Sequence, residues 1–289
     1  GHAKRPGAAP LSYARRGRRR GAAFATGGVD RLPSTSLAKR LPRILLATAL
    51  LARFVTNLDL DDVDDFTLSR ARTHLFDTVG ACVTGAVQQV TIACKAAMDE
   101  LLPGGDIPVP GQKGRYDVLT AAFLGGTAGH GLELDDGFRP AGAHPGVAIV
   151  PTILSAGYHY DVDGKALLRA MIAGYEVMGR IGAAMHPRQR QRGFHNTPIA
   201  GVFGAVAAVA VYKDFDEETL RSAFGLAASM ASGINTHRTG GDAKRMHPGL
   251  AAKNGILAAN LSEKGFEGLD TALEDTYGFL ATFAGKDAT

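Results

Sequence analysis

Apolar residues recur at helical spacing through most of the chain beyond residue 43, and no stretch alternates apolar and polar side chains as a half-buried strand does. The clearest periodic stretch runs from Asp163 to Met185, and turn residues such as Pro103-Gly104-Gly105 separate the stretches. The chain contains 37 glycines and no tryptophan, which favours helices packed closely through small side chains. We therefore predict an all-α fold, with at most a short extended piece at residues 107–109.

The stretch from about Phe66 to Gly85 predicts one of these helices. The acidic residues between Asp59 and Asp65 precede it, and acids in a first turn match the positive end of the helix dipole. We expect its apolar residues to face the core, namely Leu68, Leu75, Phe76, Val79 and Val83.

Chain length and cysteine content limit the class of protein. With 289 residues, 45% of them apolar, the chain can form one large or two modest domains. Its two cysteines, Cys82 and Cys94, form no CxxC or Cys/His metal spacing, which favours a reduced, cytoplasmic protein without structural zinc or an iron–sulfur cluster. No apolar run reaches the roughly 18 residues of a spanning helix, so we expect no membrane partner.

Basic residues are concentrated at the N-terminus. Residues 1–43 carry eleven Lys or Arg and one acid, a net +10, whereas the whole chain carries +4, so the remainder is −6. We predict a disordered arm over residues 1–42 and a folded domain over residues 43–285. A basic arm can bind nucleic acid, but no base-reading motif accompanies this one, and we expect no nucleic-acid partner. Binding through the arm would instead show a steep dependence on salt.

Side chains that can carry chemistry cluster between Gly125 and Tyr160. Glu133, Asp135 and Asp136 follow a run of small residues, and His144-Pro145-Gly146 precedes an apolar run. Proline suits a first helical position because its missing N–H would be unpaired there. We therefore expect His144 at a helix N-terminus, where unpaired N–H groups and the dipole attract carboxylates.

Two further histidines have similar surroundings. His195 precedes Asn196-Thr197-Pro198, with Thr197 as candidate N-cap, and His247-Pro248-Gly249 precedes another helical pattern. Lys244 and Arg245 come shortly before His247. A single such histidine is more often an N-cap or a surface residue. Three histidines at three predicted helix starts favour a cavity that holds acidic groups and moves a proton.

An arginine-rich loop at residues 186–195 leads into the second of these helix starts. Its Arg188, Arg190 and Arg192 could be merely solvated, yet guanidinium groups pair well with carboxylates. The GGTAGHG segment is not a dinucleotide fingerprint, because its spacing is wrong and no strand precedes it. The three histidines come from separate helix starts, and two lie near basic residues that repel cations. We predict no metal and no cofactor.

Several segments occur in an order that is known from one family. They are GTAGHGLELDD…AHPG, GYEVMGRIGAAMHP…RGFH and AKRMHPGLAAKNG, with LFDTVGACVTGA near the start and GFEGLDTALEDTYGFLATFA at the end. Over about residues 45–285 the chain thereby resembles the MmgE/PrpD family of 2-methylcitrate dehydratases, cis-aconitate decarboxylases and iminodisuccinate epimerases. The resemblance implies a multi-helix domain, a homodimer, and metal-free chemistry on a small di- or tricarboxylate substrate.

The resemblance also implies which residues form the site. Glu133, where the family more often has Asp, His144, His195 and Lys244 match its active-site positions, and His247 lies beside them. A threonine that usually follows the paired aspartates is Gly137 here. Family members generally continue into a smaller α+β domain, and this chain ends where that domain should begin. We therefore expect the helical domain without it.

These residues suggest one chemical scheme. A base removes a proton next to a carboxylate, cationic groups stabilise the enolate-like intermediate, and an acid protonates the leaving group or the carbon. We predict a lyase in which His144 and His195 transfer protons, Lys244 polarises the carboxylates, and Glu133 tunes a histidine, together with Asp135 and Asp136. The substrate-binding candidates are His247, Arg192, Asp136 and Arg245. An epimerase that uses the same intermediate, or a non-catalytic carboxylate-binding protein, remains an alternative.

Overall fold

The computed structural model of the chain describes residues 46–236 and 240–285. The predicted arm, and its boundary at residue 42, lie outside the described residues. The described part is helical, which confirms the all-α prediction, and its helices are α1 (Ala47–Thr56), α2 (Asp65–Gly85), α3 (Gln89–Leu101), α4 (Val118–Gly129), α5 (Gly146–Tyr160), α6 (Gly164–Met185), α7 (Arg188–Gln191), α8 (Asn196–Tyr212), α9 (Glu217–Met230), α10 (Ala243–Glu263) and α11 (Phe279–Ala284).

One small antiparallel pair interrupts the helices between α3 and α4. Strand β1 (Ile107–Pro108) pairs with β2 (Arg115–Tyr116), so that Ile107 faces Tyr116 across the pair. The extended piece that the sequence predicts at residues 107–109 is therefore present. It packs against α4 and α5.

Aspartate caps fix where four helices begin. The side chains of Asp64, Asp117, Asp163 and Asp216 accept hydrogen bonds from backbone N–H groups in the first turns of α2, α4, α6 and α9. Such a cap is worth about 1 kcal/mol because it satisfies a donor that the helix itself leaves unpaired. These helix starts can be read directly from the sequence.

Helix α8 is the centre of the fold. Every residue from Asn196 to Val211 is buried, and α5, α6, α9 and α10 pack around it. Small residues permit this close packing: a Cβ on Gly201 would lie 3.0 Å from the Ala148 Cβ, and one on Gly204 would lie 2.6 Å from the Gly174 carbonyl oxygen. In the residues that the structure covers, no helix is both long and apolar enough to cross a bilayer. A cytoplasmic location stays a prediction.

The orientation predicted for α2 is wrong at two positions. Phe76 is 82% exposed and Val83 is 48% exposed, although both were expected to face the core. The buried face consists of smaller residues, namely Ala71, Thr78, Ala81, Cys82 and Gly85. A small-residue face lets α2 approach α4 closely, so the larger apolar side chains are turned outward.

Two predicted helix starts also differ. Helix α10 begins at Ala243 rather than at Pro248, so that His247 lies within the helix. Helix α8 has His195, not Thr197, as its N-cap residue. Thr197 instead accepts a hydrogen bond from the backbone N–H of His144 at 3.1 Å. That bond ties the beginning of α8 to the beginning of α5.

Candidate functional site

A cavity of about 160 Å³ lies where α5, α8 and α10 begin. Three of the residues predicted to be catalytic line it, His144, His195 and Lys244, each from a different part of the chain. The other lining residues are Gly142, Gln189, Arg190, Phe194, Asn196 and Asn235. The cavity therefore combines two imidazoles with cationic side chains.

The His144 ring is held by the acidic segment that precedes it. Its Nδ1 lies 2.7 Å from the backbone carbonyl oxygen of Asp136 and 3.2 Å from Asp135 Oδ2. A carbonyl oxygen only accepts hydrogen bonds, so Nδ1 carries the hydrogen and Nε2 is the ring nitrogen left for a substrate. The hydrogen bond to Asp135 is the main cause that raises the pKa of His144.

Asp135 connects His144 to a second, buried histidine. Its Oδ2 lies 2.8 Å from His130 Nδ1, and the side chains of both residues are completely buried. Burial acts to raise the pKa of Asp135, but the hydrogen bonds from His130 and His144 outweigh it, and the pKa lies well below its usual range. Asp135 is therefore a buried carboxylate shared by two imidazoles.

These three side chains also offer the closest grouping of possible metal ligands among the described residues. One atom from each of His130, Asp135 and His144 lies within 4.8 Å of the others. The His144 Nδ1 atom, however, already holds a hydrogen against the Asp136 carbonyl oxygen. Because a ligating nitrogen must give up that hydrogen, the arrangement is better described as a hydrogen-bond network.

His195 and His247 form a second pair. Their Nδ1 atoms lie 3.0 Å apart and both residues are buried. Two nitrogens at this distance share one hydrogen, so one ring donates and the other accepts. His247, predicted to bind substrate, thus contacts the cavity histidine and does not itself appear in the cavity lining.

Glu133 lies against the cationic side of the site. Its carboxylate forms ion pairs with Lys244 Nζ and, at 2.6 Å, with Arg245 Nη1, and its backbone adopts a left-handed conformation with φ 54°. The hydrogen bond from Lys244 is the largest cause that lowers the pKa of Glu133. Arg245 also donates to the His130 carbonyl oxygen at 3.2 Å. The predicted Glu133, Lys244 and Arg245 are therefore brought together.

Two other predicted binding residues face elsewhere. The Asp136 carboxylate accepts from the Gly146 backbone N–H at 2.8 Å and from the Tyr175 hydroxyl at 3.0 Å, and burial raises its pKa. It therefore fixes the start of α5. Arg192 donates to the Thr282 carbonyl oxygen at 3.1 Å, because it stands at the end of α7 beside α11. Neither belongs to the cavity lining, whereas Arg190 does.

The sequence interpretation missed His130, Gln189, Asn196 and Asn235. Asn196 donates to the Gly182 carbonyl oxygen at 3.0 Å, and Asn235 donates to the Phe194 carbonyl oxygen at 2.7 Å, which holds the loop around residue 235 against residues 193–195. Asn196 could have been found because it follows His195 directly. The position of Asn235 depends on tertiary contacts that no local pattern shows.

The chain is similar to known proteins along most of its length. A family model described as the MmgE/PrpD N-terminal domain matches residues 49–289. The cis-aconitate decarboxylase-like protein oryM of Aspergillus oryzae is 30% identical over 245 residues, which are 82% of this chain and 51% of that protein. The cis-aconitate decarboxylases of Aspergillus terreus and Homo sapiens are 27% and 28% identical over 243 residues, 82% of this chain and 50% of each of them.

The chain spans about half the length of these curated relatives. In this chain, the residues that the family model matches include the paired aspartates and the cavity histidines. By the extent of the family match and by its fold, the chain belongs to the MmgE/PrpD family.

Proposed function

We propose that the protein is a lyase that acts on a small di- or tricarboxylate by proton transfer at a carbon next to a carboxylate. The observation that carries the proposal is that His144, His195 and Lys244 line one cavity. Two imidazoles can remove and return protons near neutral pH, and an ammonium group can hold a carboxylate and stabilise enolate charge. The names of the relatives, cis-aconitate decarboxylases, support a tricarboxylate substrate.

The cavity geometry suggests how the reaction proceeds. Lys244 on α10 and Arg190 on α7 both line the cavity, so a bound carboxylate would meet positive charge from two helices. The two imidazoles enter from the beginnings of α5 and α8. A substrate held by its carboxylates would therefore present its reacting carbon to both rings. Dehydration and decarboxylation both require this combination of a proton-transfer group and an anion site.

The test is to incubate the protein with citrate-like hydroxy acids and with cis-aconitate, and to measure turnover by alkene absorbance and by proton NMR. We expect His144→Ala and Lys244→Ala each to lower turnover by at least about a hundredfold, the range expected for proton-transfer groups. Matched controls are His159→Ala, at the other end of α5, and Lys264→Ala, which is exposed just beyond α10. Near-normal turnover in both cavity variants would remove the proposed roles.

The same experiment separates the alternatives. Deuterium that enters unreacted substrate from heavy water, without an unsaturated product, would identify an epimerase that uses the same intermediate. Binding of citrate-like acids without any turnover or exchange would identify a non-catalytic carboxylate-binding protein. Either result would contradict the lyase.

A further inference from the structure

We propose that His130 and Asp135 are positioning residues that hold His144 as the cationic, proton-donating ring of the cavity. The inference rests on the proposed function, since it divides the acid and base roles between the two cavity histidines. Neither His130 nor Asp135 lines the cavity, and both side chains are completely buried. Asp135 reaches the cavity through His144, and the His130 ring also lies beside that of His195, with the two centroids 6.1 Å apart.

The first step is the orientation of the three side chains. His130 caps the C-terminus of α4, and its Nδ1 lies 2.8 Å from Asp135 Oδ2, while His144 Nδ1 approaches the same oxygen at 3.2 Å. The centroids of the two rings are 5.1 Å apart. The carboxylate is therefore fixed between the rings, and its negative charge lies against the N–H edge of His144.

The second step concerns the charge on His130. Its Nε2 is buried and has no hydrogen-bond partner among the described residues. An imidazolium at this place would bury an unpaired N–H and a positive charge, which is costly. The neutral ring, with its hydrogen on Nδ1, avoids that cost. A neutral His130 orients Asp135 without neutralising it, so the negative charge of Asp135 is available to His144.

The third step is the balance of charges around His144. Asp135 favours its protonated form, and Lys244 on α10 opposes it, but Lys244 is itself paired with Glu133. Arg190 on α7 and His195 at the start of α8 line the cavity, and Arg245 on α10 also pairs with Glu133. The Asp136 carboxylate is turned to Gly146, Tyr175 and His74 of α2. The nearest full negative charge is therefore that of Asp135, which makes His144 the acid.

These roles give a balanced reaction for a hydroxy acid. His144 gives its Nε2 hydrogen to the leaving hydroxyl, which departs as water, and keeps its Nδ1 hydrogen on the Asp136 carbonyl oxygen. His195 takes the hydrogen from the neighbouring carbon, and the pair of electrons from that C–H bond forms the double bond. The ring of His247, 3.0 Å away through Nδ1, orients His195.

The inference can be tested on the full chain, without substrate, by ¹⁵N NMR of the histidine rings. His144, assigned with His144→Gln, should titrate above pH 6.5 and should carry its hydrogen on Nδ1 when neutral. Asp135→Asn keeps the shape but removes the charge, and it should lower the His144 titration midpoint by about one pH unit or more. A wild-type midpoint below 6.5, or an unchanged midpoint in a folded Asp135→Asn variant, would overturn the inference.

Two comparisons make this result specific. Asp136→Asn removes a neighbouring charge and should move the His144 midpoint less than Asp135→Asn does; an equal movement would mean that general charge, not this contact, is responsible. For His130, Asn can still donate to Asp135 where Ala cannot. We expect His130→Ala to lower kcat at least about tenfold without moving the alkaline limb of the pH profile of kcat. The His130→Asn variant should keep most of the wild-type kcat. Wild-type kcat in His130→Ala would contradict the positioning role.

The two proposals fail in different ways. If the protein turns over no carboxylate, the proposed function is lost, but the ring titrations still decide whether Asp135 holds the charge of His144. If turnover is found and the His144 midpoint is independent of Asp135, the lyase stands and the positioning device is wrong.

Discussion

At the scale of single residues, the fold shifts the pKa values of two adjacent aspartates in opposite directions. Asp135 accepts hydrogen bonds from two imidazoles, and its pKa is held below the ordinary value of 3.8. Asp136 is buried against a backbone N–H and a hydroxyl, and burial raises its pKa. The sequence places three acids in four positions but does not say which of them lies between two imidazoles. That difference is decided by His130, which lies at the end of another helix.

The difference predicts opposite pH dependences of stability. Asp135 stabilises the folded state above its ordinary pKa, and this contribution is lost as the pH falls through the lowered folded value. The difference in free energy of unfolding between wild type and Asp135→Asn should therefore shrink by about 1 kcal/mol per pH unit below pH 4. Urea unfolding between pH 6 and pH 3 measures it.

Asp136→Asn is the matched comparison for that experiment. A raised pKa means that the folded state binds the proton more readily, so the folded state gains stability as the pH falls through the raised value. The free energy of unfolding of the wild type, minus that of Asp136→Asn, should therefore increase as the pH falls over the same range. Equal slopes for the two variants would contradict the contrast between the two carboxyl groups.

At the scale of elements, the site depends on how closely α10 lies on α4. A Cβ on Gly249 would collide with the Phe123 carbonyl oxygen and lie 2.9 Å from Thr127 Oγ1, and a Cβ on Gly126 would lie 2.6 Å from the Gly249 Cα. The obstacle is backbone, which cannot rotate away. Because α10 also carries Lys244 and His247, its distance from α4 sets the position of both side chains.

We expect Gly249→Ala to destabilise the protein by about 1–3 kcal/mol, as overpacking of a tight core does, and to reduce turnover through the displaced Lys244. The control is Gly164→Ala at the beginning of α6, where a new Cβ meets nothing within 4 Å. Alanine there should change stability by less than about 1 kcal/mol. Denaturant unfolding of both variants measures these changes. A Gly249→Ala variant with wild-type stability and turnover would show that α10 can move away from α4 without cost.

Much of the helical pattern could be predicted because its signals are local. The aspartate caps of α2, α4, α6 and α9 and the periodicity of α6 are contained in short segments of sequence. The beginning of α10 was misplaced because Pro248 resembles a first-turn proline, whereas the helix begins five residues earlier. The convergence of His144, His195 and Lys244 was predicted from resemblance and repetition. The positions of Asn235 and of Gln189 in α7 at the cavity depend on tertiary contacts that form only in the folded chain.

At the scale of the whole molecule, one apolar surface has no partner in the described part of the chain. Phe76 and Val83 lie seven residues apart on the outer face of α2, and Val87 just after the helix is 72% exposed. Gly80 between them also faces open space. The sequence analysis expected Phe76 and Val83 to face the core of the chain. A second copy would cover them if α2 packs on its symmetry-related counterpart.

The predicted homodimer therefore has a specific test. Phe76→Asp places a charge in the middle of this surface and should convert a dimer into a monomer in light scattering. Tyr277→Asp, at an aromatic residue that is 89% exposed outside the α2 surface, is the control and should leave the assembly unchanged. A monomeric wild type would disprove the homodimer, and a dimeric Phe76→Asp variant would disprove the use of this face.

The ion pair between Glu133 and Lys244 has a consequence for how an anion enters the cavity. The lysine is already neutralised by a carboxylate of the same chain, so an incoming acid must exchange with it and does not meet a bare ammonium group. Such a swap changes the number of separated charges very little. A monovalent anion therefore gains little by displacing Glu133 from Lys244, whereas a ligand with several carboxylates gains more. This competition favours the binding of polyacids over that of simple salts.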